Sequence, residues 1–300
     1  MITFSQLGKY GRLGNQLFQY AALRGIAEKN NYVCKVPDFS SSVWHGQECL
    51  LKNFNLQADI MSPMDMFKSL GRTVYEKDYN KFDPTFFDIE DDVSIHGFFQ
   101  SIQYFEHCEE LIREEFTPKD EFLNPCMEKI NHYRDLGFEV VSIHVRRGDM
   151  MDYMYNDTGV HPDEFFSPDN IFDDKTIYGN YLNKSLKLFE NKKVKYFVFA
   201  GGKRTGDDSD DIEYIKRMFQ GDEYIISETN NPMLDFTSIM CCDHNITCHQ
   251  STFGWWAAYL NSNPNKIVTS PEKYFFLLSD KLNQQRLDNG HFPKDWVIIK

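Results

Sequence analysis

No run of about twenty apolar residues occurs in the 300-residue sequence, so nothing in it reads as a membrane-spanning helix. C-x-x-C is missing, and with it the zinc ribbon and the thioredoxin-type redox pair. H-E-x-x-H is missing too, despite nine histidines. The seven cysteines are an odd set without a regular framework, and two of them, Cys241 and Cys242, are adjacent. They read as reduced, structural thiols, which points to a reducing compartment, the cytoplasm. The first twenty residues lack a basic region followed by an apolar stretch, so no secretory leader is expected. The sequons at Asn156, Asn183 and Asn245 are then expected to be chance matches. Positive charge is in deficit: 32 Lys and Arg face 45 Asp and Glu, a net charge of −13. Such a surface repels nucleic acid and argues against a broad nucleic-acid face. A local basic pocket is still allowed, and a peripheral membrane contact stays open.

Aromatic residues, by contrast, are plentiful. With 26 Phe and 16 Tyr, the core and any clefts should be rich in rings. The chain length suits about two domains of ordinary size. "ITFSQL", "GKYGRLGNQ" and "LFQYAALRGIAEKN" read as strand, Gly-rich turn and helix, and "YVCKVP" as a second strand. Past residue 136 the alternation is regular: strand "FEVVSIHV", then helix and strand by turns to "KIVTS". The stretch Met150 to Asp174, polar and rich in aspartate, reads as a long loop. This pattern predicts an α/β fold of two Rossmann-like domains, 1–135 and 136–300, with ligands outside the carboxyl ends of parallel strands.

Three motifs fall at such strand ends. "GRLGNQ", Gly11 to Gln16, offers glycines for close backbone approach and opens a helix whose N–H groups attract anions. The plainer reading is a tight turn with Asn15 capping the helix. "HVRRGD" ends a buried strand with Arg146 and Arg147, which alternation sends to opposite sides. Arg146 shares a face with His144 and is the one expected to meet a phosphate through charge-assisted bonds; Arg147 is expected to pair with Asp149. "QSTFGWW" follows another strand: Ser251 and Thr252 start a helix there, Phe253 can lie against a base or sugar, and Trp255 and Trp256 pack the helix onto its sheet. The acidic run Asp207 to Glu213 lacks the calcium-loop pattern and reads as a solvated helix start. Two anion-binding helix starts and one strand-end arginine suggest a nucleotide diphosphate held between two α/β domains, neutralised by Arg and helix dipoles instead of a metal.

At these same residues the chain resembles a known group. "HVRRGD" is similar to the H-x-R-R-x-D motif of the α1,2-, α1,6- and protein O-fucosyltransferases. "GRLGNQLFQYA", "NNPMLDF" and "STFGWWAAYL" look like further signatures of the α1,2-fucosyltransferases, glycosyltransferase family eleven, and come in that family's order. The resemblance implies a GT-B-type fold with the donor between the domains, GDP-β-L-fucose as donor, no metal or other cofactor, and inversion to an α-linked fucoside on a glycan acceptor. It further implies that Arg146 holds the β-phosphate and that Arg12 and Asn15 lie near it or near the sugar. His144 would contact the nucleotide, Asp235 would accept from guanine N1 and N2, and Ser251, Thr252 and Phe253 would bind the diphosphate. Asp149 and Asp152 are the candidates for a general base. Two positions depart from the family's N-S-T-F-S-W-W: Gln250 stands for Asn and Gly254 for Ser. A transferase using another GDP-deoxyhexose such as GDP-L-rhamnose, or a silent nucleotide- or glycan-binding module, are the rival readings.

Overall fold

The computed structural model describes residues 1–44, 47–69, 71–153, 159–201, 209–274 and 278–300. The chain divides into two compact units, Met1–Asp120 with Lys281–Lys294, and Glu121–Asp280 with Asp295–Lys300. Among the described residues no helix is long and apolar enough to cross a membrane.

The first unit carries strands β1 (Ile2–Thr3), β2 (Cys34–Val36), β3 (Val43–Trp44), β4 (Gln47–Glu48), β5 (Asp59–Ile60), β6 (Thr73–Tyr75) and β7 (Val93–His96). Five of them form a parallel sheet in the order β5-β2-β1-β7-β6, while β3 and β4 pair as an antiparallel hairpin. Helix α1 (Leu13–Asn30) is the unit's centrepiece, buried from Leu13 to Ala27 except for Asn15 and Arg24. It ends because Asn31 turns left-handed at φ 54° and its N–H bonds the carbonyls of Ala27 and Glu28. A buried carboxylate, Glu115, pins the helix: it accepts from Tyr20 Oη and, at 2.8 Å, from Arg24 Nε. Short helices α2 (Pro63–Ser69) and α3 (Glu109–Glu115) complete this part.

Helix α4 (Asp120–Asp135) belongs with the second unit, so the division falls earlier than residue 135. The reason lies in its contacts: Cys126 Sγ bonds the Leu234 carbonyl at 3.4 Å, and Arg134 pairs with Asp243 at 2.9 Å. The second unit's strands are β8 (Glu139–Arg146), β9 (Val194–Gly201), β10 (Tyr224–Ile226), β11 (His244–Ile246), β12 (Val268–Pro271) and β13 (Val297–Ile299). All pair in parallel in the order β10-β9-β8-β11-β12-β13. Counted from β8, that is 3-2-1-4-5-6, the doubly wound Rossmann order. Its helices are α5 (Gly148–Tyr153), α6 (Pro162–Phe165), α7 (Ile177–Leu186), α8 (Ser209–Met218), α9 (Pro232–Cys241) and α10 (Thr252–Leu260); α11 (Asp280–Asp288) leads back to the first unit.

Val141, Ile143 and Val145 on one face of β8 join Val198, Ile246 and the rings of α6 and α7 in a single buried cluster. Each such side chain contributes about 1.5–3 kcal/mol when fully buried. Two expectations change here. The stretch after Met150 is not one long loop, because Met150, Phe165, Phe166 and Ile171 are buried in this cluster and draw α5 and α6 onto the sheet. The acidic run is not simply solvated either: Asp211 is buried, although residues 207 and 208 lie outside the described residues.

Candidate functional site

In a doubly wound sheet the ligand crevice opens where the strand order reverses, here between β8 and β11. Arg146 stands at the carboxyl end of β8, and the loop Thr247–Ser251 follows β11. The two meet: Arg146 Nη1 donates to the Gln250 carbonyl. Its Nε and Nη2 reach the two carboxylate oxygens of Asp149 at 3.0 and 2.9 Å, a bidentate fork. Burial disfavours the guanidinium's charge, but Asp149 outweighs this and raises the pKa. The side chain keeps 21% of its surface exposed.

Asp149 is therefore the partner of Arg146 and not, as expected from the sequence, of Arg147. Arg147 points the other way, as alternation requires, and pairs with Asp211 of α8 at 2.9 Å. It also lies over the Tyr214 ring, 4.2 Å from the centroid. Asp211 accepts from Gly148 N as well, so it ties the turn after β8. The side chain of Asp152 lies outside the described residues.

Ser251 is the N-cap of α10, and its hydroxyl accepts from Gly254 N at 3.3 Å. Thr252 and Phe253 form the first turn beside it, both half-buried. The preceding Gln250 adopts φ 53°, a left-handed conformation that aims its carbonyl at Arg146. Trp255 and Trp256 are fully buried, as core packing demands. His144 lies on the Arg146 face of β8, with Nδ1 3.5 Å from Cys248 Sγ. Burial, with the charge of Arg146 adding to it, pushes its pKa down to about 3, so the ring is neutral. Its backbone carbonyl accepts from Tyr178 Oη at 3.2 Å.

A chain of rings links this cradle to α9: His144 to Phe253 at 5.7 Å, and Phe253 to Phe236 at 5.3 Å. Asp235, next to Phe236, lies in the first turn of α9, which Asn231 caps through bonds from Met233 N and Leu234 N. Oδ1 of Asp235 accepts from Ser227 at 2.6 Å and from Thr229 at 2.7 Å. The structure thus brings Arg146, Asp149, His144, Ser251, Thr252 and Phe253 together, with Asp235 one ring further on.

Arg12 and Asn15 belong to the first unit. Arg12, not Asn15, is the N-cap of α1, and its side chain makes no capping bond. Arg12 is exposed, and Asn15 Oδ1 accepts from Gln100 Nε2 at 3.1 Å. Gly11, at φ 82°, lies so close that a Cβ there would meet Asn15 Cβ at 2.8 Å. The seven cysteines are free thiols. Among the described residues no group of three His, Cys, Asp or Glu side chains is placed to hold a metal. Sequence reasoning missed Asp211 and the carbonyl of Gln250. The first hid in an acidic run, and the second acts through its backbone and leaves no residue-type signal.

Strand order defines the class: a Rossmann-type α/β protein, with a part-buried Arg146–Asp149 pair at its crossing point. Residues 5–300 match the family described as glycosyl transferase family 11, and the chain belongs to it; it is a glycosyltransferase. It is 23% identical over 304 residues to the O-antigen biosynthesis glycosyltransferase WbnK of Escherichia coli, covering 88% of this chain and 93% of that one. To galactoside alpha-(1,2)-fucosyltransferase 1 of Alouatta belzebul it is 27% identical over 260 residues, which is 83% of this chain but only 63% of that protein's length. Among solved structures, the fucosyltransferase NodZ from Bradyrhizobium superposes with a TM-score of 0.50 at 12% identity, over 86% of this chain and 93% of that one. A NodZ alpha-1,6-fucosyltransferase co-crystallized with GDP gives 0.51 at 12% identity, over 90% and 94%. Those two likenesses concern the fold.

Proposed function

We propose that the protein transfers L-fucose from GDP-β-L-fucose to a hydroxyl of a glycan acceptor, O2 of a galactoside, with inversion and without a metal. The observation that carries the reading is the cradle at the β8–β11 crossing, where Arg146 is held against Gln250 and Asp149 beside the N-terminus of α10. The names of family relatives that act on galactosides support the choice of sugar and acceptor.

In this reading the acceptor oxygen bonds to the fucose anomeric carbon as the bond to the β-phosphate breaks, and the hydroxyl proton passes to water or to the departing diphosphate. The leaving diphosphate takes the electron pair, and Arg146 with the α10 N–H groups receives that charge. A well-placed donor of this kind is worth roughly 3–4 kcal/mol of transition-state stabilisation. Asp149 keeps both oxygens on Arg146 and so orients it, a role the geometry favours over that of general base. Ser251, Thr252 and Phe253 hold the diphosphate. His144 contributes its backbone and, being neutral, adds no competing charge. Asp235 accepts from guanine N1 and N2, and Arg12 and Asn15 act near the phosphate or the sugar. The GT-B-type assignment is part of this proposal.

Calorimetry with GDP, UDP and CDP, each with and without EDTA, tests the donor half. GDP should bind tightest, with an affinity that EDTA leaves unchanged. Tighter binding of UDP, or loss of GDP binding in EDTA, contradicts the reading.

A further inference from the structure

The first unit's parallel sheet has its own crossing point, between β1 and β7, where the order β5-β2-β1-β7-β6 reverses. Aromatic residues gather near the carboxyl ends of β1, β6 and β7: Tyr75 and His96 end β6 and β7, and Tyr10, Tyr79 and Phe98 lie in the segments that follow β1, β6 and β7. The Tyr10 ring lies 4.9 Å from Phe98, nearly parallel at 28°, and 4.8 Å from His96. Tyr79 meets Phe98 edge-on at 5.2 Å, and Tyr75 packs on His96 at 5.4 Å. These rings are not core. Tyr75 is 61% exposed and Tyr79 43%, while Tyr10, His96 and Phe98 are half-buried.

The turn that presents Phe98 is costly to build. Phe99 adopts φ 53°, a left-handed conformation that a bulky residue rarely takes. Buried Glu76 sustains it, accepting from Phe98 N at 2.7 Å and Phe99 N at 3.0 Å. At Gly97 a Cβ would strike Glu76 Cβ at 2.5 Å, so the approach needs glycine. Strain of this kind concentrates where a side chain must be held for a ligand.

Resting on the transferase reading above, we propose that Tyr10, Tyr75, Tyr79, His96 and Phe98 form a wall that binds a sugar ring of the acceptor. A pyranose has a flat C–H face bordered by hydroxyls, which fits ring faces edged by tyrosine hydroxyls. Burial raises the pKa of Tyr10 and lowers that of His96, which favours the neutral form of both rings. Aromatic walls with a few polar groups are the usual lining of small-ligand sites.

The test is initial-rate kinetics with GDP-fucose and methyl β-D-galactoside on Tyr75→Ala, Tyr79→Ala and Tyr75→Phe. Both side chains are exposed enough for the variants to fold, which thermal melts would verify. Loss of one ring face should raise the acceptor KM about fivefold, the equivalent of a single aromatic contact, while calorimetric GDP affinity stays as in the wild type. Tyr75→Phe should keep a KM near the wild-type value. Unchanged acceptor KM in both alanine variants overturns the wall and leaves the transferase reading standing. Weakened GDP binding in Tyr75→Ala also overturns it, because the wall would then serve the nucleotide. So does concentration-dependent self-association abolished by Tyr75→Ala, which would make the face a protein contact. No transfer by the wild-type protein overturns the reading on which the wall rests.

Discussion

A missing methyl group shapes the site. At Gly254 a Cβ would sit 2.4 Å from His144 Nδ1, far inside contact distance, and the same ring nitrogen lies 3.5 Å from Cys248 Sγ. Glycine at 254 and histidine at 144 therefore come as a pair in this chain. Gly254→Ala should lower stability by about 1–3 kcal/mol, the usual range for overpacking a full core. Thermal melts should show a smaller loss when His144→Ala is made in the same chain, because the two changes share one space. Equal losses in both backgrounds would contradict this. The arginines behave differently. Alternation along β8 was legible in "HVRRGD", and it places Arg146 and Arg147 on opposite sides as expected. Their carboxylate partners were not legible. Asp149 is three residues from Arg146 and two from Arg147, but the helical turn that starts at Gly148 carries it under Arg146.

At the scale of elements, periodicity served best where strands are buried on both faces. The run "EVVSIHV" and the helix "TFGWWAAYL" are long apolar signals, and both stand as read, as β8 and α10. Short edge pieces carried no such signal. β5 and β6 are two and three residues long, with exposed or half-buried side chains. Composition misled in one place. Aspartates between Met150 and Asp174 gave the look of a loop, but Phe165, Phe166 and Ile171 decide the outcome through burial. Helix α1 shows a different lesson. Its presence was legible and its start was not: "LGNQ" read as part of the turn, but the helix begins at Leu13 after Arg12, whose side chain makes no capping bond. The aromatic wall lay beyond sequence reasoning altogether, because it gathers Tyr10, Tyr75, Tyr79 and Phe98 from separate strand ends that only the sheet order brings together.

For the whole molecule, buried titratable groups set the pH response. His144, His249 and His291 are each pushed down to about 3, chiefly by burial. Unfolded, they take up protons below about 6.5, so the unfolded chain binds more protons than the folded one and stability falls as pH drops. Glu76 works in the opposite sense: burial pushes it up to about 7, so its contribution fades as pH rises from the ordinary carboxylate range to 7. Three groups against one predict a lower Tm at pH 5.5 than at pH 7.5. An unchanged or higher Tm at pH 5.5 would contradict the assignment of these histidines as buried and neutral.

The central claim is that Arg146, oriented by Asp149 at the β8–β11 crossing, receives the charge of a departing GDP. The most direct measurement is the initial rate of fucose transfer from GDP-β-L-fucose to methyl β-D-galactoside by the wild-type protein and by Arg146→Ala, in EDTA. The wild type should form the α-linked product, and Arg146→Ala should lower kcat about 10²–10³-fold, the cost of removing one such donor. Equal rates in the two proteins, or no turnover of GDP-fucose by the wild type, would contradict the account.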